Sequence, residues 1–263
     1  MNATAKVLRY DMRDLLRSRW LVGYALFFAA LTDALIRFGG SSEKALLSLV
    51  SVTLFVVPLV ALVFGTVYFY NAREFTELLL AQPVNRRQLF AGLYLGLALS
   101  LSLGFLLGVA VPVMFEGLDD AAARVPFFML LAAGTALTAI FSAIAFVIAI
   151  RFEDRLKGLG IAIAAWLGAA IVYDGLVLIA VLVFSDYPLE RPMLVATFIN
   201  PLDLARVLLL LQFDASALLG YTGAVFKSFF TGISGTLVSL AALAAWVAAP
   251  IILGLRGFQR KDF

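Results

Sequence analysis

No cysteine and no histidine occur anywhere in the 263 residues. Without thiols there is no disulfide framework and no thiolate nucleophile, and without imidazole the usual zinc ligands are missing as well. The same absences remove the HExxH metalloprotease motif and the Ser–His dyad, two routes to hydrolysis inside a membrane. Beyond the initiator, the soft metal ligands are Met12, Met114, Met129 and Met193, which are scattered along the chain. No GxxxxGK[ST] phosphate loop is present, so the chain cannot hydrolyse ATP by that route. Neither a catalytic residue, a metal site nor a cofactor is expected in it. Charge is scarce too, with 14% charged residues against 63% hydrophobic. The net charge of +3 is small, and a pI near 9.3 reflects where the basic residues sit rather than a nucleic-acid patch. A cleavable signal peptide is not expected, because the first nineteen residues are charged and hold no apolar core.

What the chain has in abundance is apolar length. Its mean hydropathy of +1.02 is more than a soluble core can hide, so the bilayer must solvate much of it. Six stretches, 20–38, 46–69, 89–115, 125–150, 158–184 and 236–255, each approach or exceed the ~20 residues that cross a bilayer as a helix. Backbone groups in lipid must bond within their own segment, which makes an all-α polytopic membrane protein the expected fold class. The basic residues fall on alternate connections. Residues 1–19 carry Lys6, Arg9, Arg13, Arg17 and Arg19; the second to third connection carries Arg73, Arg86 and Arg87. Arg151, Arg155 and Lys157 follow between the fourth and fifth spans, and Arg256, Arg260 and Lys261 lie in the tail 256–263. Fourteen of twenty basic residues thus share one face, and the positive-inside rule puts both termini in the cytoplasm.

The connection 185–235 holds an apolar run, 204–213, broken by Arg206 and Gln212 and preceded by Asn200, Pro201, Leu202 and Asp203. Ten residues are too few to span, and a seventh crossing would put the basic tail outside. A re-entrant or interfacial hairpin is therefore expected here. Residues 6–20 read as a surface helix with Trp20 as an interface anchor. Between the second and third spans, Arg73, Glu74, Phe75 and Glu77 open a short helix that must stop before Pro83. Asn85 then has the character of an N-cap for the third span, with Gln88 three residues on.

That succession of acidic residue, apolar run, proline, small polar residue and arginine resembles the coupling-helix region of ABC-2 type permeases, the six-helix subunits of ABC exporters. The ending from Gly257 to Phe263 is similar to theirs, and the layout of surface helix, coupling segment, six spans and outer hairpin matches along 1–263, read as a single permease domain. A closer likeness lies in Asn200-Pro201-Leu202-Asp203-Leu204-Ala205-Arg206 and Gly220-Tyr221-Thr222-Gly223-Ala224-Val225-Phe226, similar to permeases that serve nitrous-oxide reductase maturation. The resemblance implies a bacterial inner-membrane location, a cytoplasmic ATPase subunit that carries ATP and Mg, a second copy of this chain, and a periplasmic accessory protein. It implies a role in assembling a copper–sulfur centre. Arg73, Glu74, Phe75, Glu77, Arg86 and Arg87 become the expected contacts with the ATPase. Cu(I) prefers thiolate and thioether ligands, so a chain without Cys or His would pass on motion or a sulfur species while partners handle the metal.

Inside the spans, Asp174 is the clearest ionisable residue, about sixteen residues into the fifth, and should face protein or water. Asp33 and Arg37 stand one turn apart as an i,i+4 pair, with a pathway role as the alternative. Asp203 and Arg206 in the hairpin are expected to turn to water or to a partner. Gly92/Gly96 and Gly104/Gly108 allow close helix approach. The small-residue surface of span five (Gly158, Gly160, Ala162, Ala164, Ala165, Gly168, Ala169, Ala170) is the expected dimer seam, since the resemblance implies that spans two and five face the dimer centre. Rival readings are an ABC-2 exporter of drugs, lipids or glycans, and an ion-coupled carrier. The carrier would call for inverted repeats and several midplane charges, neither of which is clear.

Overall fold

A computed structural model describes residues 8, 12–15, 17–80, 85–117, 121–213, 229–230 and 233–261. Among them every regular element is helical, and six helices are long and apolar enough to cross a membrane. In chain order these elements are α1 (Arg19–Phe38), α2 (Ser42–Asn71), the short α3 (Arg73–Leu80), α4 (Arg86–Glu116) and α5 (Arg124–Arg151). Then come α6 (Arg155–Leu167), a π turn (Gly168–Val172), α7 (Tyr173–Val183), the pair α8 (Glu190–Ile199) and α9 (Pro201–Leu210), and α10 (Ile233–Arg260). The surface helix expected at 6–20 lies partly outside the described residues, and Pro83, Asp214, Lys227 and the motif 220–226 lie outside them altogether.

Helix starts are set locally. Ser18, Ser41, Asn85, Asp154 and Asn200 each sit in extended backbone and accept from an amide of the following turn, at 2.8–3.3 Å. At Asn85 the carboxamide accepts from Arg87 N at 2.9 Å, as its place before the third span predicts. Pro58, Pro112 and Pro250 lie within spans, where neighbouring helices can satisfy the carbonyls they free.

The bundle is built around α5. Within its most apolar window 67% of the residues are buried, against 6% for α6–α7 and 17% for α10, so the last two lie on the periphery. Against α1, α4 presents Gly104 and Gly108. A Cβ at Gly108 would sit 2.7 Å from the Ala25 carbonyl oxygen and the Phe28 Cβ, so the glycine spacing serves packing within the chain. At the basic end, Phe69, Phe90, Phe146 and Phe258 join α2, α4, α5 and α10, with ring centroids 5.1 Å apart for Phe69–Phe146 and 5.7 Å for Phe90–Phe258. Phe258 is fully buried. This corrects the boundary drawn at residue 256: α10 continues to Arg260 instead of giving way to a free tail, because the Phe258 ring is needed to fill the space between Phe69 and Phe90.

Candidate functional site

Two polar constellations stand out, one at each end of the bundle. At the basic face, α3 is anchored by Thr76, which is buried and donates its hydroxyl to the Ala72 carbonyl at 2.8 Å, and by Leu79 and Leu80 packed on the core. The opposite side presents Glu74, Phe75, Glu77 and Leu78 to the exterior, with Leu78 69% exposed. Arg73 Nε donates to Glu77 Oε1 at 3.0 Å, an i,i+4 pair on α3 itself. Arg87 is exposed at the start of α4. Its neighbour Arg86 turns elsewhere, donating through Nη1 to the carbonyls of Gln259 (3.1 Å) and Lys261 (2.8 Å). Of the six residues expected to meet an ATPase, Glu74, Phe75 and Glu77 are exposed on α3, Arg87 is exposed at the start of α4, Arg73 is half-buried, and Arg86 is drawn to the end of α10.

The segment is tied to span five by one bond that composition does not reveal. Tyr70, at the end of α2, donates its hydroxyl to the carbonyl of Phe152 at 2.6 Å, just before α6 begins. The Tyr70 ring lies so close over Gly158 that a Cβ there would collide with the hydroxyl. Gly158 therefore keeps the start of α6 against the exit of α2.

The second constellation lies where α8 and α9 meet. The chain bends by 117° at Asn200, beyond a right angle, so α9 doubles back along α8 as a hairpin does. Asn200 has two bonds: its Oδ1 accepts from Leu202 N (3.0 Å) and its Nδ2 donates to Ala169 O (2.7 Å) inside the π turn. In that turn Tyr173 N reaches back five residues to Gly168 O. Such widened turns recur at functional sites in helices. Tyr173 donates its hydroxyl to Ala196 O at 2.6 Å, and Trp246 Nε1 on α10 donates to Phe198 O at 3.0 Å. Arg206 completes the set. Its Nη1 lies 2.7 Å from Asp174 Oδ2 and 3.0 Å from Asp203 Oδ1, one guanidinium between two carboxylates.

Of the charges expected to turn to water or to a partner, Asp203 and Arg206 are paired within the chain, with Arg206 still part-exposed. Asp203 and Arg206 face α7, and Asp203 retains 16% of its side-chain exposure. The reason is that Asp174 and Arg206 can each bring a charge among apolar spans only with an opposite partner at hand. The i,i+3 spacing of Asp203 and Arg206 was legible. Their meeting with Asp174, thirty-two residues before Arg206, carries no local signal. Pro201 begins α9 at its first position, where the missing N–H goes unneeded. At the outer end of α1, Asp33 and Arg37 pair at 3.0 Å, and Glu116 of α4 joins Arg37 at 2.6 Å. Asp33–Arg37 therefore belongs to an exposed link between two helix ends, apart from the elbow.

These features can be set beside known proteins. The model of the ABC-2 family transporter protein matches residues 5–263. Two relatives carry the description probable ABC transporter permease protein NosY. The one from Stutzerimonas stutzeri is 27% identical over 278 aligned positions, covering 99% of each chain. The one from Pseudomonas aeruginosa is 29% identical over 272, covering 97% of each. With a match along nearly its whole length and six apolar helices to cross the bilayer, the chain belongs to the ABC-2 family of transporter proteins as a multi-pass membrane member.

Proposed function

We propose that this chain is the membrane-spanning permease subunit of an ABC transporter, and that it carries motion from a separate ATPase subunit on its basic face to the outer hairpin. The observation that carries the reading is a continuous line of contacts between the two constellations. The exposed side of α3 is covalently continuous with α2, Tyr70 of α2 bonds the residues that lead into α6, and α6–α7 is bonded to the hairpin through Asn200, Tyr173 and Arg206. A displacement of α3 has a packed, hydrogen-bonded route to the elbow, with the π turn as a place where the span can give.

Both termini then lie in the cytoplasm of a bacterial inner membrane, by the distribution of basic residues. A second copy packs against α6–α7, whose apolar window is the least buried of the six. The hairpin faces a periplasmic accessory protein. By the resemblance that Asn200 to Arg206 carry to nitrous-oxide reductase maturation permeases, the system serves assembly of the copper–sulfur centre of that reductase. With neither Cys nor His in the sequence, the chain relays motion or passes a sulfur species while its partners hold the copper.

The test is co-expression with a candidate ABC ATPase subunit from the same organism. Co-purification and stimulated ATP turnover are expected, with stimulation lost in Phe75→Ala/Leu78→Ala while the permease itself remains folded. Failure of the two chains to associate would defeat the reading. Stoichiometric, tight copper binding to the isolated permease would defeat the division of labour over the metal.

A further inference from the structure

A crevice of about 710 Å³ opens between the last turns of α5 and α10, beside the basic-face constellation, whose Arg86 bonds the carbonyl of Lys261. Its lining is basic: Arg151, Arg256, Arg260 and Lys261 border it, and among the described lining residues Glu153 is the one carboxylate. Basic residues at helix C-termini often do no more than satisfy the last carbonyls and the dipole. Here other donors perform that task. Lys261 Nζ donates to Ile150 O at 2.9 Å in the last turn of α5, and Arg86 takes the carbonyls of Gln259 and Lys261 at the end of α10. Glu153 lies 3.8 Å from Lys261. Among the described residues, Arg151, Arg256 and Arg260 therefore have neither a hydrogen-bond nor an ion-pair partner. Three guanidiniums without a partner among the described residues, grouped around one crevice, suit an anion with several oxygens.

The wall above them is apolar. Val147, Ile150 and Leu253 line the crevice, and the flank of α10 beside it leaves Leu253 57% and Ile252 46% exposed. A soluble anion has no use for that wall. A ligand with a phosphate at one end and a hydrocarbon chain at the other matches both parts, and basic pockets between membrane helices are known to receive such headgroups.

We propose that this crevice binds the phosphate headgroup of an anionic phospholipid, with Arg151, Arg256 and Arg260 around the phosphate and an acyl chain along Leu253 and Ile252 of α10. The site is independent of what the permease moves or drives.

The experiment places the full-length protein in nanodiscs of mixed phosphatidylglycerol and phosphatidylcholine, then extracts it in mild detergent and measures retained lipid by native mass spectrometry. Phosphatidylglycerol should be retained at least fivefold over phosphatidylcholine. Arg256→Ala/Arg260→Ala should bring that ratio down at least threefold. Arg155→Ala/Lys157→Ala, which removes equal charge from the same face outside the crevice, should leave it unchanged, and Arg256→Lys/Arg260→Lys should restore part of it. Equal retention of the two lipids by the wild type would overturn the proposal, whatever the variants do. So would an equal fall in the control variant, or displacement of the lipid by millimolar inorganic phosphate. Loss of ATPase association with lipid retention intact would assign the arginines to a protein contact instead.

Discussion

At the outer end of the bundle, polar groups are turned toward one another: Arg206 lies between Asp174 and Asp203, and Asn200, Tyr173 and Trp246 donate to backbone carbonyls of neighbouring helices. At the basic face α3 does the reverse, with buried Thr76 and packed Leu79 holding it down while Glu74, Phe75 and Leu78 point outward. One end is closed upon itself and the other is open to a partner. The difference has a physical cause. Charges and amides among apolar spans must be satisfied inside the protein, whereas those at the water boundary are satisfied by solvent and remain available for exchange against a docking surface.

The comparison can be broken most severely at Arg206. Arg206→Ala leaves two carboxylates facing each other without their cation. Removing one partner of a buried pair costs about 3–5 kcal/mol, and the part-exposure of this cluster reduces that to roughly 2–3 kcal/mol. A drop of that size is expected in thermal unfolding in detergent. Adding Asp174→Asn and Asp203→Asn should recover most of it; a further fall would show that the charges do not oppose each other. Asn200→Ala comes next, since it removes both the cap of α9 and the bond to Ala169 O. About 1–2 kcal/mol should be lost, with Asn200→Asp retaining the cap but not the donor to the π turn.

Gly158→Ala tests the link between the two ends. Overpacking against Tyr70 should cost about 1–2 kcal/mol and lower ATPase stimulation as well, and Tyr70→Phe in the same chain should relieve part of the strain. Unaltered stimulation in Gly158→Ala would mean that motion does not pass this way. The smallest stability effect belongs to the open end. Arg73→Ala breaks an exposed helical pair worth about 0.3–0.5 kcal/mol, a change close to the noise of a melting curve. Association with the ATPase is the sensitive readout there, and Glu74→Lys/Glu77→Lys should weaken it severalfold in a pull-down.

The open end was the more legible of the two. Glu74, Phe75 and Glu77 share α3 by simple spacing, and Asn85 caps the next span because a short polar side chain before a long apolar helix has few other uses. Arg86 was misleading in the sequence, where it looks identical to Arg87. One residue of helix turns a side chain by about 100°, which carries Arg86 to the end of α10 and leaves Arg87 outside. The closed end was legible only in its local part. Asp203 and Arg206 meet across one turn of their own helix, yet nothing in a window of either length points to Asp174. The π turn is likewise silent, since Gly168, Ala169 and Ala170 would continue an ordinary helix without objection.

The sequence by itself determined what local physics controls: that the chain is a membrane protein, where its six spans run to within a few residues, the Asn85 cap of the third, and which connections are basic. Apolar length, capping side chains and charge bias act over one helix at a time, so a linear reading recovers them. Only the tertiary structure decided that α10 reaches Arg260, that Arg206 closes on Asp174, that Tyr70 ties α2 to α6, and that three guanidiniums surround one crevice. Each depends on how one helix is rotated against another, and that rotation is fixed by the packing of the whole bundle.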